Sequence, residues 1–389
     1  MTNQKNKCPI CKSSLVSTFL KRDNVPVHQN LVMDDLKSAT KIVRGNLDLM
    51  VCEDCGFIFN HTFDLSKLSY GRHYDNTQVC SPFFNNYLVN IVHRLLFESG
   101  IKNCRIVEIG CGDGLFLRKM IEVEDCGNTG YGFDPSYVGP TTDLEGKLKF
   151  EKCYYGPECA DIQADIIICR HVIEHVPNPI NFLHIIKKAV AKSPHARIFF
   201  ETPCVEWILS NQVVWDFFYE HCSYFTSDSL STAFEAAGFS VKNVKHVFGG
   251  QYLWLEATIP SKQPVVTKNP DRIPSLAKNF ASKEHDFEKK LRDKIMKLAS
   301  KGKVALWGAG AKGVTFANFI DPECKLIDCL IDLNPNKQGH YIPGTGHPIT
   351  SPQEFAKCGG GRAVLMNSNY RDECLALLCE ENLDINLIE

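Results

Sequence analysis

Two glycine-rich loops constrain the fold of this chain more than any other feature of its sequence. The first reads EIGCGDG over residues 108–114 and the second reads GAGAKG over residues 308–313. Each lies between an apolar run and a helical pattern. Glycines let the backbone turn tightly and approach a ligand, and such a loop typically follows the first strand of a doubly wound α/β sheet. Two of them among 389 residues predict two α/β domains.

Strand and helix patterns alternate near each loop, which indicates parallel sheets. Near the first loop, the strand patterns are CRIVEIG, YGFDP, LKFEKCYY, ADIIICR and RIFFETP, and the helix patterns are LFLRKMIEV and NFLHIIKKAVA. Near the second loop, the corresponding segments are VALWGAG, AKGVTFANFI, KLIDCLIDLNP and RAVLMNSN. We also predict a helix over about 83–99, a linker rich in Pro, Lys and Ser over 258–274, and a charged helix over about 276–300.

Composition and charge exclude several classes of function. The 43 Lys and Arg residues are matched by 45 Asp and Glu residues, so the chain lacks the strongly basic character of nucleic-acid-binding proteins. No apolar run approaches the ~18 residues that a membrane span needs. The first residues, MTNQKNKCPIC, lack the apolar segment of a secretory signal. We therefore expect a cytoplasmic protein with no nucleic-acid or membrane partner.

Four of the 18 cysteines form two C-x-x-C pairs near the amino terminus. In a reducing compartment, cysteines are thiols or metal ligands rather than disulfides. Two such pairs supply four thiolates to one tetrahedral zinc ion, and four protein ligands leave no position open for catalysis. The sequence therefore predicts a structural zinc site at Cys8, Cys11, Cys52 and Cys55. The alternative is two unrelated thiol pairs, one of them redox-active.

An ordered set of residues around the first loop predicts a bound cofactor. Asp134 ends the second strand, and the fourth strand ends in RHVIEHVP from Arg170 onward. Strand ends at this edge of an open α/β sheet line a ligand crevice. The set resembles the class I S-adenosylmethionine-dependent methyltransferases over about residues 80–258. That resemblance implies S-adenosylmethionine as the cofactor and cofactor contacts for Glu108, Gly110, Gly112, Gly114, Asp134, Arg170, His171, Gln78 and Ser81.

Three further segments extend the resemblance to nearly the whole chain. They read YGRHYDNTQVCSPF from residue 70, DFFYEHCSYF from residue 216 and IDLNPNKQG from residue 331. With the cysteine pairs and both loops, they resemble the C-methyltransferases that act on nucleotide-linked 4-keto deoxysugars. The resemblance implies an α/β chain with a zinc-binding module at 1–75, a methyltransferase core with a doubly wound sheet at 76–258, a linker and helix at 259–300, and a Rossmann-like domain that contacts substrate at 301–389.

The resemblance assigns the chemical step to a Glu-His pair, here Glu220 and His221. In the family, the His removes the proton at carbon 3, next to the ketone, and the enolate attacks the methyl group of the cofactor. A C–H beside a ketone is a weak acid, so the step needs a positioned base and a donor to the enolate oxygen. Histidine is the base best suited to neutral pH. Glu220 is expected to hold the tautomer of His221 or to contact a substrate hydroxyl.

The sequence departs from the family just before this pair. The family usually has Tyr-His there, whereas this chain has Phe218 and Tyr219. If the family tyrosine donates to the enolate oxygen, either Tyr219 or Tyr74 replaces it here, or this chain carries out a different reaction. His175 matches a position that contacts substrate in some members, although packing alone would also account for its EHVP segment.

The second loop allows two interpretations. Gly308, Gly310 and Gly313 form G-x-G-x-x-G, and Asp332 ends the next strand, which is also the pattern of NAD-binding domains. Lys312 adds a positive charge that suits an anionic ligand. The whole-chain resemblance instead implies that this domain carries the nucleotide side of the substrate. Its implied substrate contacts are Gly310, Lys312, Asn334 and Lys337.

The sequence thus favours S-adenosylmethionine-dependent C-methylation of a nucleotide-activated keto sugar. The alternatives are O- or N-methylation of a sugar or small metabolite, an NAD-binding enzyme, and a binding protein with a vestigial methyltransferase core. The intact EIGCGDG loop and Asp134 argue against the last of these. The sugar, the nucleotide, the methylated atom and the oligomeric state are not encoded in any pattern of the sequence.

Overall fold

The amino-terminal part of the chain is a small module built mainly of strands. A computed structural model describes residues 7–69, 74–260 and 265–389. The elements of the module are β1 (Val16–Pro26), α1 (Leu36–Thr40), β2 (Arg44–Cys52) and β3 (Ile58–Asn60). β2 pairs antiparallel with both β1 and β3. A 3-10 turn at Leu65–Lys67 follows.

The central part forms the large sheet. Its elements in chain order are α2 (Pro82–His93), which continues into a π-helical turn (Arg94–Glu98), β4 (Arg105–Ile109), α3 (Leu115–Ile121), β5 (Thr129–Phe133), β6 (Thr142–Asp143), β7 (Leu148–Glu151), β8 (Ile166–Arg170), α4 (Pro179–Ala189), β9 (Arg197–Pro203), α5 (Val205–Asn211), β10 (Ser223–Tyr224), α6 (Ser227–Ala236), β11 (Ser240–Val247) and β12 (Tyr252–Thr258). The five strands predicted near the first loop are β4, β5, β7, β8 and β9.

The carboxyl-terminal part begins with a long helix. Its elements are α7 (Ile273–Ala299), β13 (Val304–Trp307), α8 (Ala311–Ile320), β14 (Cys329–Ile331), β15 (Ile349–Thr350), α9 (Pro352–Lys357), β16 (Gly361–Leu365), α10 (Arg371–Glu380) and β17 (Ile385–Ile388). α7 starts three residues before the predicted position because Pro274 lies in its first turn, where a missing N–H costs no hydrogen bond. Residues 261–264 of the predicted linker lie outside the described residues.

The order of strands places a crevice beside each glycine-rich loop. The large sheet has the order β11-β12-β9-β8-β4-β5-β7-β6, and β4 pairs in parallel with both β5 and β8. The smaller sheet has the order β15-β14-β13-β16-β17 and is parallel throughout. In both sheets the chain reverses its direction of winding at the strand before the loop. Ligands bind at that point in open α/β sheets, just beyond the carboxyl ends of the strands.

The module and the core share a sheet and an apolar cluster. β10 of the core pairs with β3, so the sheet of the module has the order β1-β2-β3-β10. A buried cluster joins Leu20 and Leu49 of the module to Ile208 of the core and to Ile273 and Phe280 of α7. Burial of each such side chain stabilises the fold by about 1.5–3 kcal/mol. The residues just before β10, which include His221, therefore lie where the module meets the core.

The α/β fold class predicted from the sequence is confirmed. The structure contains a large mixed sheet, a second parallel sheet and a small sheet-rich module. The predicted domain boundaries stay a prediction. Among the described residues, no helix combines the length and the apolar character that crossing a membrane requires.

Candidate active site

A cavity of about 700 Å³ lies between the two glycine-rich loops. The loop after β4 and the loop after β13 both line it, and so does the segment around His221. Asn30 and Leu65 of the amino-terminal module also contribute to its wall. All three parts of the chain therefore meet at one cavity, whereas the sequence predicted only the zinc ligands and Tyr74 as functional residues of the module.

The first loop presents one open glycine to this cavity. A Cβ built on Gly110 would lie 2.1 Å from a methyl group of Val172, and one built on Gly114 would lie 2.6 Å from the ring of Phe150. At Gly112 no atom lies within 4 Å of the added Cβ. Close packing thus requires glycine at positions 110 and 114, whereas Gly112 leaves space for a ligand.

Asp134, predicted to bind the cofactor, also holds the loop in place. Its Oδ2 accepts the N–H of Gly112 at 2.9 Å, and its Oδ1 accepts the N–H of Ser136 at 2.7 Å. The carboxylate lines the cavity and is oriented by these main-chain donors. It keeps the acceptor capacity to bind a further hydroxyl, because an ionised carboxylate has about four lone-pair positions.

A buried charge network lies beneath the loop. The Nε of Arg170 donates to Glu201 at 2.6 Å, and the hydroxyl of Tyr87 donates to the same carboxylate. Burial raises the pKa of Glu108 to about 8, and its Oε2 has no hydrogen-bond partner among the described residues. Arg170 and Glu108 both line the cavity. Glu201 neutralises Arg170, and Asp113 and Asp134 are the further acidic side chains that line the cavity here.

His171 has a left-handed backbone, with φ of 54°. This conformation is uncommon for a residue with a side chain and is found mostly in turns and at functional sites. Its ring packs edge-on against Tyr252 at 4.6 Å. Its Nδ1 lies 3.4 Å from Glu174 and its Nε2 lies 3.5 Å from Glu201. The turn thus directs the imidazole between two buried carboxylates in the cavity wall.

His221 lies in the cavity wall next to a second histidine. The ring centroids of His221 and His175 are 4.8 Å apart, and the ring of Phe218 lies 4.2 Å from that of His221. Desolvation, together with His175 and His171, lowers the pKa of His221 well below its ordinary value. His221 is therefore neutral at physiological pH and able to accept a proton. The Nδ1 of His175 lies 2.9 Å from the carbonyl oxygen of Glu220, to which it donates.

Glu220 faces away from the imidazole of the neighbouring histidine. Its Oε1 lies 3.0 Å from the Nδ1 of His28, and its Oε2 accepts the N–H of Gln29 at 3.0 Å. Tyr74 also hydrogen-bonds to this carboxylate and to Asn30. Desolvation and the charge of Glu220 raise the pKa of Tyr74 well above its ordinary value, so Tyr74 remains a protonated donor. The expectation that Glu220 holds the tautomer of His221 is not supported by these contacts, and contact of Glu220 with a substrate hydroxyl stays a prediction.

Tyr219 does not lie where an oxyanion donor is needed. The side chain is buried, and its hydroxyl accepts the N–H of Asp64 at 2.8 Å. The ring fills the space above Gly45, where an added Cβ would lie 2.3 Å from a ring carbon. The predicted catalytic role of Tyr219 is therefore corrected by the structure. Tyr219 lies in a turn, in which the N–H of His221 donates to the carbonyl oxygen of Phe218, and its side chain faces the module.

Gln78 and Ser81, predicted to bind the cofactor, contact the carboxyl-terminal domain. The hydroxyl of Tyr370 donates to the Oε1 of Gln78 at 2.7 Å, and the Oγ of Ser81 donates to Glu373 at 2.7 Å. Ser81 also caps α2 by accepting the N–H of Phe84. Both residues line the cavity, but their hydrogen bonds join the core to the carboxyl-terminal domain.

The second loop has the same design as the first. An added Cβ on Gly313 would lie 1.9 Å from the carbonyl oxygen of Gly308, whereas one on Gly310 would meet no atom within 4 Å. Asp332 accepts the N–H of Ala309 at 2.8 Å and the N–H of Asn334 at 2.9 Å. Gly310 precedes α8, so main-chain N–H groups at the start of this helix face the cavity.

The predicted substrate-binding side chains near this loop differ in the ion pairs and hydrogen bonds that they already form within the protein. The Nζ of Lys312 lies 2.8 Å from Asp216 and 3.2 Å from Gln251, which commits its charge to an ion pair with the core. The Nδ2 of Asn334 donates to Asp75 at 2.8 Å. Lys337 is buried, lines the cavity and donates to the carbonyl of Ala309 at 3.3 Å. Lys337 is therefore the better placed cation for an anionic ligand.

The four predicted metal ligands converge in the module. Their sulfur atoms all lie within 4.8 Å of one another. The Cys8–Cys55 and Cys11–Cys52 separations are 3.7 Å and 3.6 Å. Zn–S bonds of about 2.3 Å in a tetrahedron place neighbouring sulfurs roughly 3.8 Å apart. The donor set and its spacing fit a zinc ion.

The comparisons with known proteins match both α/β parts of the chain. Residues 83–244 match the family model described as a methyltransferase domain, and residues 272–380 match the model of a C-methyltransferase C-terminal domain. The two matches meet across the cavity, since the first includes His221 and the second includes Lys337.

The chain is also similar to curated relatives and to solved structures. The C-methyltransferase NovU of Streptomyces niveus is 27% identical over 95% of this chain and 91% of its own length. The ubiquinone biosynthesis O-methyltransferase of Photobacterium profundum is 32% identical over 26% of this chain and 45% of its own length. A crystal structure of a Burkholderia thailandensis 1,6-didemethyltoxoflavin-N1-methyltransferase has a TM-score of 0.35 and 15% identity, covering 46% of this chain and 80% of that one.

Proposed function

Since this chain is an S-adenosylmethionine-dependent methyltransferase with a C-methyltransferase C-terminal domain, we propose that it methylates a carbon atom of a nucleotide-linked keto sugar. The reaction begins with removal of a proton from the carbon beside the ketone. The enolate carbon would then form a bond to the methyl group as the sulfur–methyl bond breaks, which would restore the ketone and leave S-adenosylhomocysteine. S-adenosylmethionine supplies an electrophilic methyl group on a sulfonium sulfur when it is bound.

His221 is the base in this proposal, and its environment is the observation that carries it. The imidazole lines the cavity between the two glycine-rich loops, and its lowered pKa keeps it neutral. A neutral imidazole held at the reacting carbon is the form that accepts a proton. Burial, together with His175 next to it, disfavours a positive charge on His221, so the proton taken by His221 is readily released after methyl transfer.

Tyr74 is the donor to the enolate oxygen in this proposal, and its single O–H proton turns from Glu220 to the substrate when the substrate binds. Its hydroxyl lies in the cavity and its raised pKa keeps it protonated, whereas Tyr219 faces the module. Glu220, which holds Tyr74, retains acceptor capacity for a sugar hydroxyl. Although position 218 is a phenylalanine, the cavity therefore still contains a hydroxyl that can donate to the enolate oxygen.

In this proposal the two ligands occupy separate parts of the cavity. We assign the cofactor to the loop of Gly110, Gly112 and Gly114, with Asp134 oriented toward a ribose hydroxyl. We assign the nucleotide part of the substrate to the start of α8 and Lys337, because main-chain N–H groups and a buried cation suit phosphate. A structural zinc ion at the four cysteines completes the proposal. Replacing Cys52 with Ser should lower both zinc content and folded yield, since metal binding and folding of such modules are coupled.

A solvent exchange experiment tests the chemical step. A 4-keto sugar nucleotide incubated with the enzyme in deuterated water should exchange the hydrogen on the carbon beside the ketone. The His221→Ala variant should bind both ligands, show no exchange, and turn over roughly 10²–10⁴-fold more slowly. Normal methyl transfer by this variant would show that His221 is not the base. A methyl ether product without exchange would contradict C-methylation.

Two tyrosine variants provide a matched control. Tyr74→Phe should reduce turnover roughly 10²–10³-fold with ligand binding intact, as expected for loss of an oxyanion donor. Tyr219→Phe removes a hydroxyl that faces Asp64, so it should leave turnover within about threefold of wild type. A large loss for Tyr219→Phe together with a small loss for Tyr74→Phe would reverse the assignment.

A further inference from the structure

The amino-terminal module contributes a buried histidine to the candidate active site. His28 lies two residues beyond the end of β1 and is 3% exposed. It is 192 residues from Glu220 in the sequence, yet its Nδ1 lies 3.0 Å from the Oε1 of that carboxylate. No motif in the sequence marks His28, and neither family model includes it.

The hydrogen bonds of His28 determine its tautomer. The main-chain N–H of Ser69 donates to its Nε2 at 3.0 Å. A main-chain N–H can only donate, so Nε2 carries a lone pair and no proton. The single proton of the neutral ring is then on Nδ1, which faces Glu220. His28 is therefore a neutral donor to a carboxylate that is 0% exposed.

Two consecutive residues of the module hold both oxygens of Glu220. His28 donates to Oε1 and the N–H of Gln29 donates to Oε2. These bonds fix the rotation of the carboxylate beside Tyr74 and compensate for its burial, since a buried charge needs hydrogen-bond donors. The carboxylate cannot turn without breaking a bond to the module.

We infer that His28 is a positioning residue for methyl transfer, which acts by presenting the Glu220 carboxylate to the substrate and to Tyr74. This inference rests on the proposed function of the same cavity. It gives the module a part in turnover: the segment after β1 supplies His28, and the segment after the Leu65–Lys67 turn supplies the N–H that fixes its tautomer.

Two isosteric variants separate the two bonds of the ring. In His28→Asn, the side-chain N–H takes the place of Nδ1–H and can still donate to Glu220. In His28→Gln, the side-chain oxygen takes the place of Nε2 and can still accept from Ser69, but the donor to Glu220 is lost. We expect His28→Asn to keep kcat within about threefold of wild type, and His28→Gln to lower kcat by about 10- to 100-fold, as for loss of a bond to a charged group.

The control measurements distinguish positioning from folding. Zinc content and the Kd for S-adenosylmethionine should be unchanged in both variants. The double variant of His28→Gln with Glu220→Gln should be no slower than Glu220→Gln alone, because the two residues act through one bond. The inference would be overturned if His28→Asn and His28→Gln lowered kcat equally, or if the losses of kcat in the double variant were additive.

The outcome for His28 can be separated from the outcome for the proposed function. Nitrogen-15 spectra of the imidazoles in the resting wild type should show His28 as the Nδ1–H tautomer, and the Nε2–H tautomer would overturn the inference. Turnover is measured as S-adenosylhomocysteine formed with whichever sugar nucleotide the wild type methylates. A methyl ether product would then refute the proposal that the enzyme methylates carbon. The comparison of His28→Asn with His28→Gln would still decide whether His28 is a positioning residue.

Discussion

The two glycine-rich loops have the same backbone design but different electrostatic surroundings. In each, a strand ends in a loop with one open glycine, Gly112 or Gly310, and an aspartate from the next strand accepts an N–H of the loop. The first loop faces Glu108, Asp113 and Asp134, while the buried cation Lys337 lies beside the second.

This difference shows what the loop pattern can and cannot specify. Main-chain geometry makes room for a ligand in both domains, so glycine spacing alone does not separate one ligand from the other. The surrounding charges do, because an acidic wall suits the sulfonium and ammonium groups of S-adenosylmethionine and a lysine suits phosphate.

The largest expected effect comes from filling the open glycine of each loop. Gly112→Val should abolish detectable S-adenosylmethionine binding, because the branched side chain enters the ligand space. Its backbone strain, with φ of 56°, should cost about 1–2 kcal/mol of stability. Gly310→Val, where φ is −92°, should leave cofactor affinity unchanged and weaken thymidine diphosphate binding. Calorimetry on both variants checks this, and loss of cofactor binding in Gly310→Val would contradict the assignment of the two loops.

The next effect concerns the charge at the second loop. Lys337→Gln should weaken thymidine diphosphate binding by about 1.5–3 kcal/mol, the range for a hydrogen bond to a charged group. Lys312→Gln should remove the ion pair with Asp216 and lower the melting temperature of the protein, because this ion pair joins the carboxyl-terminal domain to the core. Titration calorimetry and thermal melts distinguish these two roles. A larger affinity loss for Lys312→Gln than for Lys337→Gln would reverse them.

The two aspartates should differ in which ligand they affect. Asp134→Ala should weaken S-adenosylmethionine binding by about 1–3 kcal/mol, since it removes both a ribose acceptor and the bond that holds Gly112. Asp332→Ala should leave cofactor binding unchanged. If instead both variants keep full cofactor affinity by calorimetry, the first loop is not the cofactor site.

The smallest effect is a pH dependence specific to the first loop. Burial raises the pKa of Glu108 to about 8, so this residue is largely protonated in the free enzyme at pH 7. A cationic cofactor favours the ionised form, so its affinity should rise as pH increases through 8. The gain between pH 7 and pH 9 should be no more than about tenfold. The Glu108→Gln variant should show a flat profile, and an equal rise in that variant would assign the effect to another group.

The sequence predicted the parts of the molecule that local patterns specify. Apolar runs located β4, β8 and β13, glycine spacing located both loops, and two C-x-x-C pairs located four sulfurs that converge within 4.8 Å. Each of these signals lies within a few residues or repeats in a recognisable spacing. The resemblance to methyltransferases and C-methyltransferases is confirmed by the matches over residues 83–244 and 272–380.

What the sequence missed depends on contacts between distant residues. Tyr219 faces Asp64, Lys312 pairs with Asp216, and Ser81 donates to Glu373, 292 residues away. His28 was not identified at all. The packing of one domain on another fixes these directions, and no periodicity within either segment encodes it. Tyr70–His73, in the segment that begins at residue 70, lie outside the described residues.

A crystal structure with S-adenosylmethionine or its demethylated product and thymidine diphosphate bound together tests the central claim most directly. The account predicts the cofactor against Gly112 and Asp134, the diphosphate at the start of α8 beside Lys337, and His221 between the two ligands. Both ligands on one loop, or the diphosphate outside the carboxyl-terminal domain, would contradict the claim that similar loops with different charges divide the cofactor from the substrate.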